Sequence, residues 1–153
     1  MADVDTGSMK IEVRPVTADD YEDWLRLFRD YIAFYEEEVP DDIIAAAWQR
    51  LLAREDNMIA LIATGNDRAF GIANLVFHRS TWARDWYCYL EDLFVAPEAR
   101  GKGIGRALIE AVYAEADRRG ASRTYWATQA KNATARTLYD RLGVLTEFVQ
   151  YRR

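Results

Sequence analysis

The segment Tyr89-Leu-Glu-Asp-Leu-Phe-Val-Ala-Pro-Glu-Ala-Arg100-Gly-Lys-Gly-Ile-Gly-Arg-Ala-Leu108 constrains this chain more than any other. It runs from an apolar strand through a glycine-interleaved turn into an amphipathic helix. Gly101, Gly103 and Gly105 leave backbone amides unobstructed where the first unbonded N–H groups of the following helix point outward. An anion such as a pyrophosphate fits that geometry. Glycine before a helix is also a common way of making a tight turn, so the neighbouring residues must decide.

Two nucleotide-binding patterns fail here. A phosphate-binding Walker loop needs Lys followed by Ser or Thr, whereas Lys102 is followed by Gly103. A dinucleotide fingerprint needs a small residue where Arg106 stands and an acidic residue about 20 positions further on, where the chain reads Gly120-Ala-Ser-Arg-Thr-Tyr125. What is left is Arg100-x-x-Gly103-x-Gly105 directly after Leu93-Phe94-Val95.

That pattern resembles the acetyl-coenzyme A signature of the GCN5-related N-acetyltransferase family. Tyr125-Trp126-Ala-Thr-Gln-Ala-Lys-Asn132-Ala-Thr-Ala135-Arg-Thr-Leu138-Tyr139 resembles the family's second motif, and the two occur in the family's order. Phe34-Tyr35-Glu36 with Pro40-Asp41-Asp42, Phe77-His78-x-Ser80-Thr81-Trp82 and the terminal Tyr151-Arg152-Arg153 are similar to the subgroup typified by the yeast histone and polyamine acetyltransferase. Its members act on small amines, amino acids or basic peptides. The resemblance spans nearly the whole chain and implies a mixed α/β fold, a mainly antiparallel central sheet flanked by about four helices. It also implies a homodimer, to which Phe148-Val149-Gln150-Tyr151 would lend an edge strand; an edge protected within the monomer is the alternative.

The chain has 153 residues, half of them apolar or aromatic, enough for one domain with a substantial core. We read residues 1–153 as that single domain, with 1–9 a flexible N-terminal extension. The net charge of −5 disfavours a general nucleic-acid footprint and favours basic or amine ligands. No stretch has the length and apolarity of a membrane span, and the polar start lacks the features of a signal peptide, so a cytoplasmic location is expected. Cys88 is the only cysteine and sits in an apolar run, which reads as a buried strand residue. His78 is the only histidine and has no companion ligands, so no metal is expected.

Periodicity organises the rest. Lys10–Val16 alternates as a strand, and Thr17-x-x-Asp20 resembles a capping box opening a helix with a stripe of Trp24, Leu27, Phe28, Tyr31, Ile32 and Tyr35. A second helix starts near Pro40-Asp41. Strands are expected over Met58–Thr64, Phe70–Phe77 and Trp86–Val95, with a turn at Gly65-Asn66-Asp67. A helix from Ile104 to Gly120, a parallel strand over Arg123–Thr128, a helix capped by Asn132 and a last strand over Glu147–Arg152 complete the chain.

The resemblance assigns roles to particular residues. The backbone of Leu93, Phe94 and Val95 would pair with the pantetheine arm of acetyl-coenzyme A, and the run Arg100, Gly101, Lys102, Gly103, Ile104, Gly105 and Arg106 would cradle its pyrophosphate. Asn132 would bind the arm's polar groups, and a plain helix cap accounts for it equally. An alkyl ammonium with a pKa of about 10.4 is neutral in only about one molecule in a thousand at neutral pH, so attack on a thioester needs a base or water relay. Glu91 matches the family's glutamate in that role and Asp92 is second choice, strand alternation sending the two to opposite faces. Tyr139 matches the tyrosine that protonates the departing thiolate, although a core tyrosine has the same spacing. Tyr31, Tyr35, His78 and Trp82 are candidate acceptor contacts, with packed aromatics and a surface histidine as the plainer account. Against catalysis stands one other reading, a non-catalytic regulatory module that binds acyl-coenzyme A.

Overall fold

The computed structural model describes residues 2–6, as backbone, and 9–153. The elements are β1 (Ala2–Thr6), β2 (Met9–Pro15), α1 (Tyr21–Phe34), α2 (Asp41–Ala53), β3 (Met58–Gly65), β4 (Arg68–Arg79), β5 (Trp86–Val95), α3 (Ile104–Arg118), β6 (Ala121–Tyr125) and α4 (Ala133–Leu142). They form one sheet in the order β1-β2-β3-β4-β5-β6. Every pairing is antiparallel except β5 with β6, which are parallel and joined across α3. This is the mixed, mainly antiparallel α/β architecture expected from the sequence.

Both faces of the sheet are covered, and the strand sequences say so. Ile59 and Leu61 bury on one face with Ile104, Leu108, Ile109 and Val112 of α3, while Ala60 and Ile62 bury on the other with Trp24 and Leu27 of α1 and Trp48 and Leu51 of α2. Covered on two sides, β3 reads as a near-continuous apolar run rather than an alternation. Each large aliphatic side chain so buried contributes about 1.5–3 kcal/mol.

The local signals act as their chemistry requires. Thr17 N–H donates to Asp20 Oδ2 at 2.7 Å, and Asp20 is also gripped by Arg14 at 2.7 and 3.0 Å, fixing the entry into α1. Asn66 and Asp67 take left-handed φ of 48° and 59°, giving the two-residue turn that matches the twist of the β3–β4 hairpin. Gly120 ends α3 at φ 72°.

Three expectations change. Ala2–Thr6 pairs with β2 where a flexible extension over 1–9 was expected; Met1, Gly7 and Ser8 of that segment lie outside the described residues. The strand expected over Arg123–Thr128 is shifted to Ala121–Tyr125, since only those residues find parallel partners on β5. Residues 147–152 form no strand: the chain leaves α4 at Gly143 without pairing, and Val144, Phe148 and Tyr151 are more than nine-tenths exposed.

Gly71 shows how closely α3 is seated. A Cβ there would stand 2.9 Å from Leu108 Cδ1 and 3.0 Å from the Phe94 carbonyl oxygen. Gly71→Ala is therefore expected to cost about 1–3 kcal/mol in urea unfolding; a variant as stable as wild type contradicts this packing.

Candidate active site

The site is built where β5 parts from β6. Their ladder ends at the pair Tyr89 with Tyr125, so β5 continues through Leu90–Val95 with its β6-facing edge open. At the far end of that edge the chain makes the glycine turn. Gly101 and Gly103 adopt φ of 78° and 79°, and nothing lies within 4 Å of where a Cβ on Gly101 would be. Their backbone amides are thus accessible beside the first turn of α3, where unbonded N–H groups favour an anion.

Two of the three cationic residues of the turn are already engaged. Arg100 Nε donates to the Val95 carbonyl at 3.2 Å, and its guanidinium lies over the rings of Phe34 and Phe94 at 5.6 and 5.7 Å. Arg106 is paired with Glu110 at 3.0 Å, and Lys102 is exposed. Ile104 is buried and anchors the turn to the core, whereas Gly105 lets α4 approach: a Cβ there would stand 3.1 Å from Leu138 Cδ2.

On the opposite bank Asn132 caps α4, its Oδ1 accepting from Ala135 N–H at 3.3 Å. The cap orients the helix that carries Tyr139, whose ring packs edge-on against Trp126 at 5.6 Å between centroids. Burial, with a smaller contribution from Tyr35, pushes the Tyr139 phenol up to about 12. It is a proton donor at rest. Thr128 Oγ1, between β6 and α4, is buried with no hydrogen-bond partner among the described residues, a state that favours a ligand's polar atom nearby.

Glu91 and Asp92 occupy a bulge. Asn74 of β4 faces Asp92 and Leu75 faces Leu90, so Glu91 is the extra residue on β5 and is exposed. Asp92 is half-buried and turned toward α1, where Asn74 Nδ2 donates to its Oδ2 at 3.1 Å. Burial raises its pKa to about 6, opposed by the Asn74 hydrogen bond, reinforced by the nearby Glu91 charge and opposed again by the Tyr31 hydroxyl. Tyr31 is held protonated by burial first and by Asp92 next.

Of the expected acceptor contacts, Tyr31 and Tyr35 lie in this cluster, their rings 5.1 Å apart, edge to face. His78 lies elsewhere. It shares the Asn74 face of β4 four residues on, about 13 Å along the strand. Its Nδ1 donates to the Arg79 carbonyl at 2.8 Å, which leaves Nε2 of the neutral ring to accept from Tyr125 Oη at 2.7 Å. Trp82 is 85% exposed in the β4–β5 loop and joins neither group. An open groove of about 570 Å³ between α1 and α2 contains none of Glu91, Asp92 and Tyr139 and lies apart from the candidate site. Sequence reasoning missed Asn74. The available signal was a lone amide in the buried run Ala69–Leu75.

Asp92 also affects stability. Its pKa rises from 3.8 to about 6 on folding, so between those values the folded chain binds more protons and stability falls as pH rises. Asp92→Asn removes that penalty and is expected to raise stability by about 1–3 kcal/mol at about pH 8, with no gain at about pH 4. Thermal melts at the two pH values measure it; an equal effect at both contradicts the assignment.

The family model described as the Acetyltransferase (GNAT) family matches residues 21–144. The chain is 32% identical over 146 residues to the D-amino-acid N-acetyltransferase HPA3 of Saccharomyces cerevisiae, covering 94% of this chain and 91% of that protein. The fold superposes on an AAC(6')-Iy structure in complex with a bisubstrate analogue, CoA-S-monomethyl-acetylneamine, with a TM-score of 0.82 at 22% identity, covering 94% of this chain and 97% of that one. A second AAC(6')-Iy structure, an aminoglycoside N-acetyltransferase in complex with CoA, gives 0.83 at 21% identity over 98% of both chains. The chain belongs to the acetyltransferase (GNAT) family.

Proposed function

We propose that this protein transfers an acetyl group from acetyl-coenzyme A to the primary amine of a small molecule, such as a polyamine or amino acid, or of a basic peptide. The observation that carries this reading is the open edge of β5 lying between the accessible glycine turn and a carboxylate–phenol cluster. The residues present fit the cosubstrate: in this reading backbone groups of Leu93, Phe94 and Val95 hold an extended arm, the amides of the turn hold its pyrophosphate, and Asn132 and Thr128 meet polar atoms between them.

Acetyl-coenzyme A supplies an activated acyl carbon; the chain's residues manage protons and orientation. The amine nitrogen forms a bond to that carbon as the carbon–sulfur bond breaks. The proton lost from nitrogen passes to the carboxylate pair, with exposed Glu91 as base or as relay to solvent through water. Tyr139 donates its hydroxyl proton to the departing sulfur and is reprotonated from solvent. The aromatic faces of Tyr31 and Tyr35 and the acidic run Glu36–Glu38 just after α1, of which Glu37 and Glu38 line the neighbouring groove, favour a cationic acceptor.

The exposed apolar tail supports assembly. Phe148 and Tyr151 are each 92% exposed, and β6 is the last strand of the sheet. A second copy of the chain is the occupant we assign to this surface, the tail adding to a partner's sheet edge.

Incubation with acetyl-coenzyme A and pooled polyamines, amino acids, aminoglycosides and lysine-rich peptides should release free thiol and give a product heavier by one acetyl group. Retained binding of acetyl-coenzyme A without turnover on any acceptor points instead to a binding module. Glu91→Gln and Tyr139→Phe should each lower turnover at least about tenfold while calorimetry shows cofactor binding unchanged; wild-type turnover in both removes these roles. Light scattering should give a dimer that becomes a monomer on truncation after Gly143, and a monomeric full-length chain excludes the assembly.

A further inference from the structure

We infer that Asn74, its amide locked in one orientation by Trp24, is a positioning residue that aims Asp92 at the acceptor nitrogen, making Asp92 the group that takes the proton and Glu91 its outlet to solvent. The inference rests on the acetyl-transfer reading above and concerns how that site handles its proton.

The lock follows from donor and acceptor chemistry. An amide side chain can usually turn over, because its oxygen and nitrogen are alike in shape. Here it cannot. Trp24 Nε1–H, which can only donate, lies 3.0 Å from Asn74 Oδ1. The atom facing it must be oxygen, so Nδ2 must face Asp92, 3.1 Å from its Oδ2. Trp24 is fully buried and Asn74 is 3% exposed, so water does not compete for the bond that sets the amide's orientation.

The backbone sets the pair in place. The bulge leaves Asn74 directly across from Asp92, whereas the register of Leu75–Arg79, continued without it, would put Glu91 opposite Asn74 and turn Asp92 to the other face. Burying an amide between helix and sheet costs free energy where an aliphatic side chain would contribute stability, and here hydrogen bonds at both ends of that amide offset the cost. The groups acting on Asp92 are Tyr31 from α1, Asn74 from β4 and Glu91 beside it, with Tyr89 of β5 feeling the charge of both carboxylates and Tyr35 and Tyr139 acting on Tyr31; among the described residues none of these is a cation. The arriving ammonium is the missing positive partner.

Raised basicity makes Asp92 the more effective proton acceptor. A carboxylate whose pKa stands near 6 is closer to that of an alkyl ammonium than an ordinary aspartate by about 2 units, roughly a hundredfold in proton-transfer equilibrium. Fixed aim then matters, since that basicity is useful only along one line of approach.

The test compares wild type, Asn74→Leu, which removes the donor, and Trp24→Phe, which releases the lock but keeps the amide, each checked for folding by its thermal melt. Carboxyl ¹³C titration, with Asp92→Asn identifying the resonance, should place the Asp92 midpoint near 6 and move it upward by about one pH unit in Asn74→Leu and by less in Trp24→Phe. The acid limb of kcat/KM should follow the same midpoints and vanish in Asp92→Asn, while Glu91→Gln lowers the rate without moving the limb. An Asp92 midpoint unmoved in Asn74→Leu overturns the lock. An acid limb that stays put while the Asp92 midpoint moves overturns its role as base. Failure of acetyl transfer itself is read separately, in the amine-panel assay.

Discussion

The short parallel pairing of β5 with β6 is the constraint on which the rest of the structure depends. A parallel connection needs a helix-length crossover, and α3 supplies it, so the glycine turn must lie at the start of that helix and at the end of β5. Because β6 runs out at Tyr125, β5 keeps one edge unpaired just where the turn begins. Sheet edges invite another strand. In this fold the open edge lies between an anion-favouring helix start and the cluster of Asp92, Tyr31 and Tyr139, so one topological decision brings together the parts that the proposed reaction would use.

The second decision is local. One extra residue on β5 separates the duties of two adjacent carboxylates, leaving Glu91 in water and turning Asp92 into a space bounded by aromatic rings. Without the bulge, alternation alone would still separate the two side chains, but Asn74 would not stand opposite Asp92. The cost is a carboxylate held partly out of water with no cation among the described groups that act on it, a strain in the folded state that favours a cationic ligand over an empty site.

Much of this was legible from residue order. The strand, glycine turn and helix from Tyr89 to Leu108 fixed the crossover; Asn66-Asp67 fixed a hairpin; Asn132 fixed the start of α4. Those signals are local, each readable from a few neighbouring residues. What escaped depends on partners distant in sequence. Trp24 and Asn74 meet from 50 residues apart, and a tryptophan on an apolar helix stripe carries no mark of the indole bond it will make. The tail fails for a related reason: Glu147 to Arg152 has the composition of a strand, but pairing needs a neighbour, and the tail meets none in this structure. Ala2 to Thr6 is the reverse case, a polar segment with weak strand character that pairs because β2 presents an edge.

Cys88 takes no part in the chemistry proposed here, but its placement governs what can be watched. It is fully buried, and burial pushes its thiol up to about 11, so at neutral pH it is both shielded and protonated. A thiol-reactive dye added to the folded protein will therefore report only sulfur released into solution, with no background from the chain. The same dye under denaturing conditions will count one thiol per molecule as the β5 strand leaves the sheet. The chain thus carries its own indicator of whether the strand that organises the site is still in place.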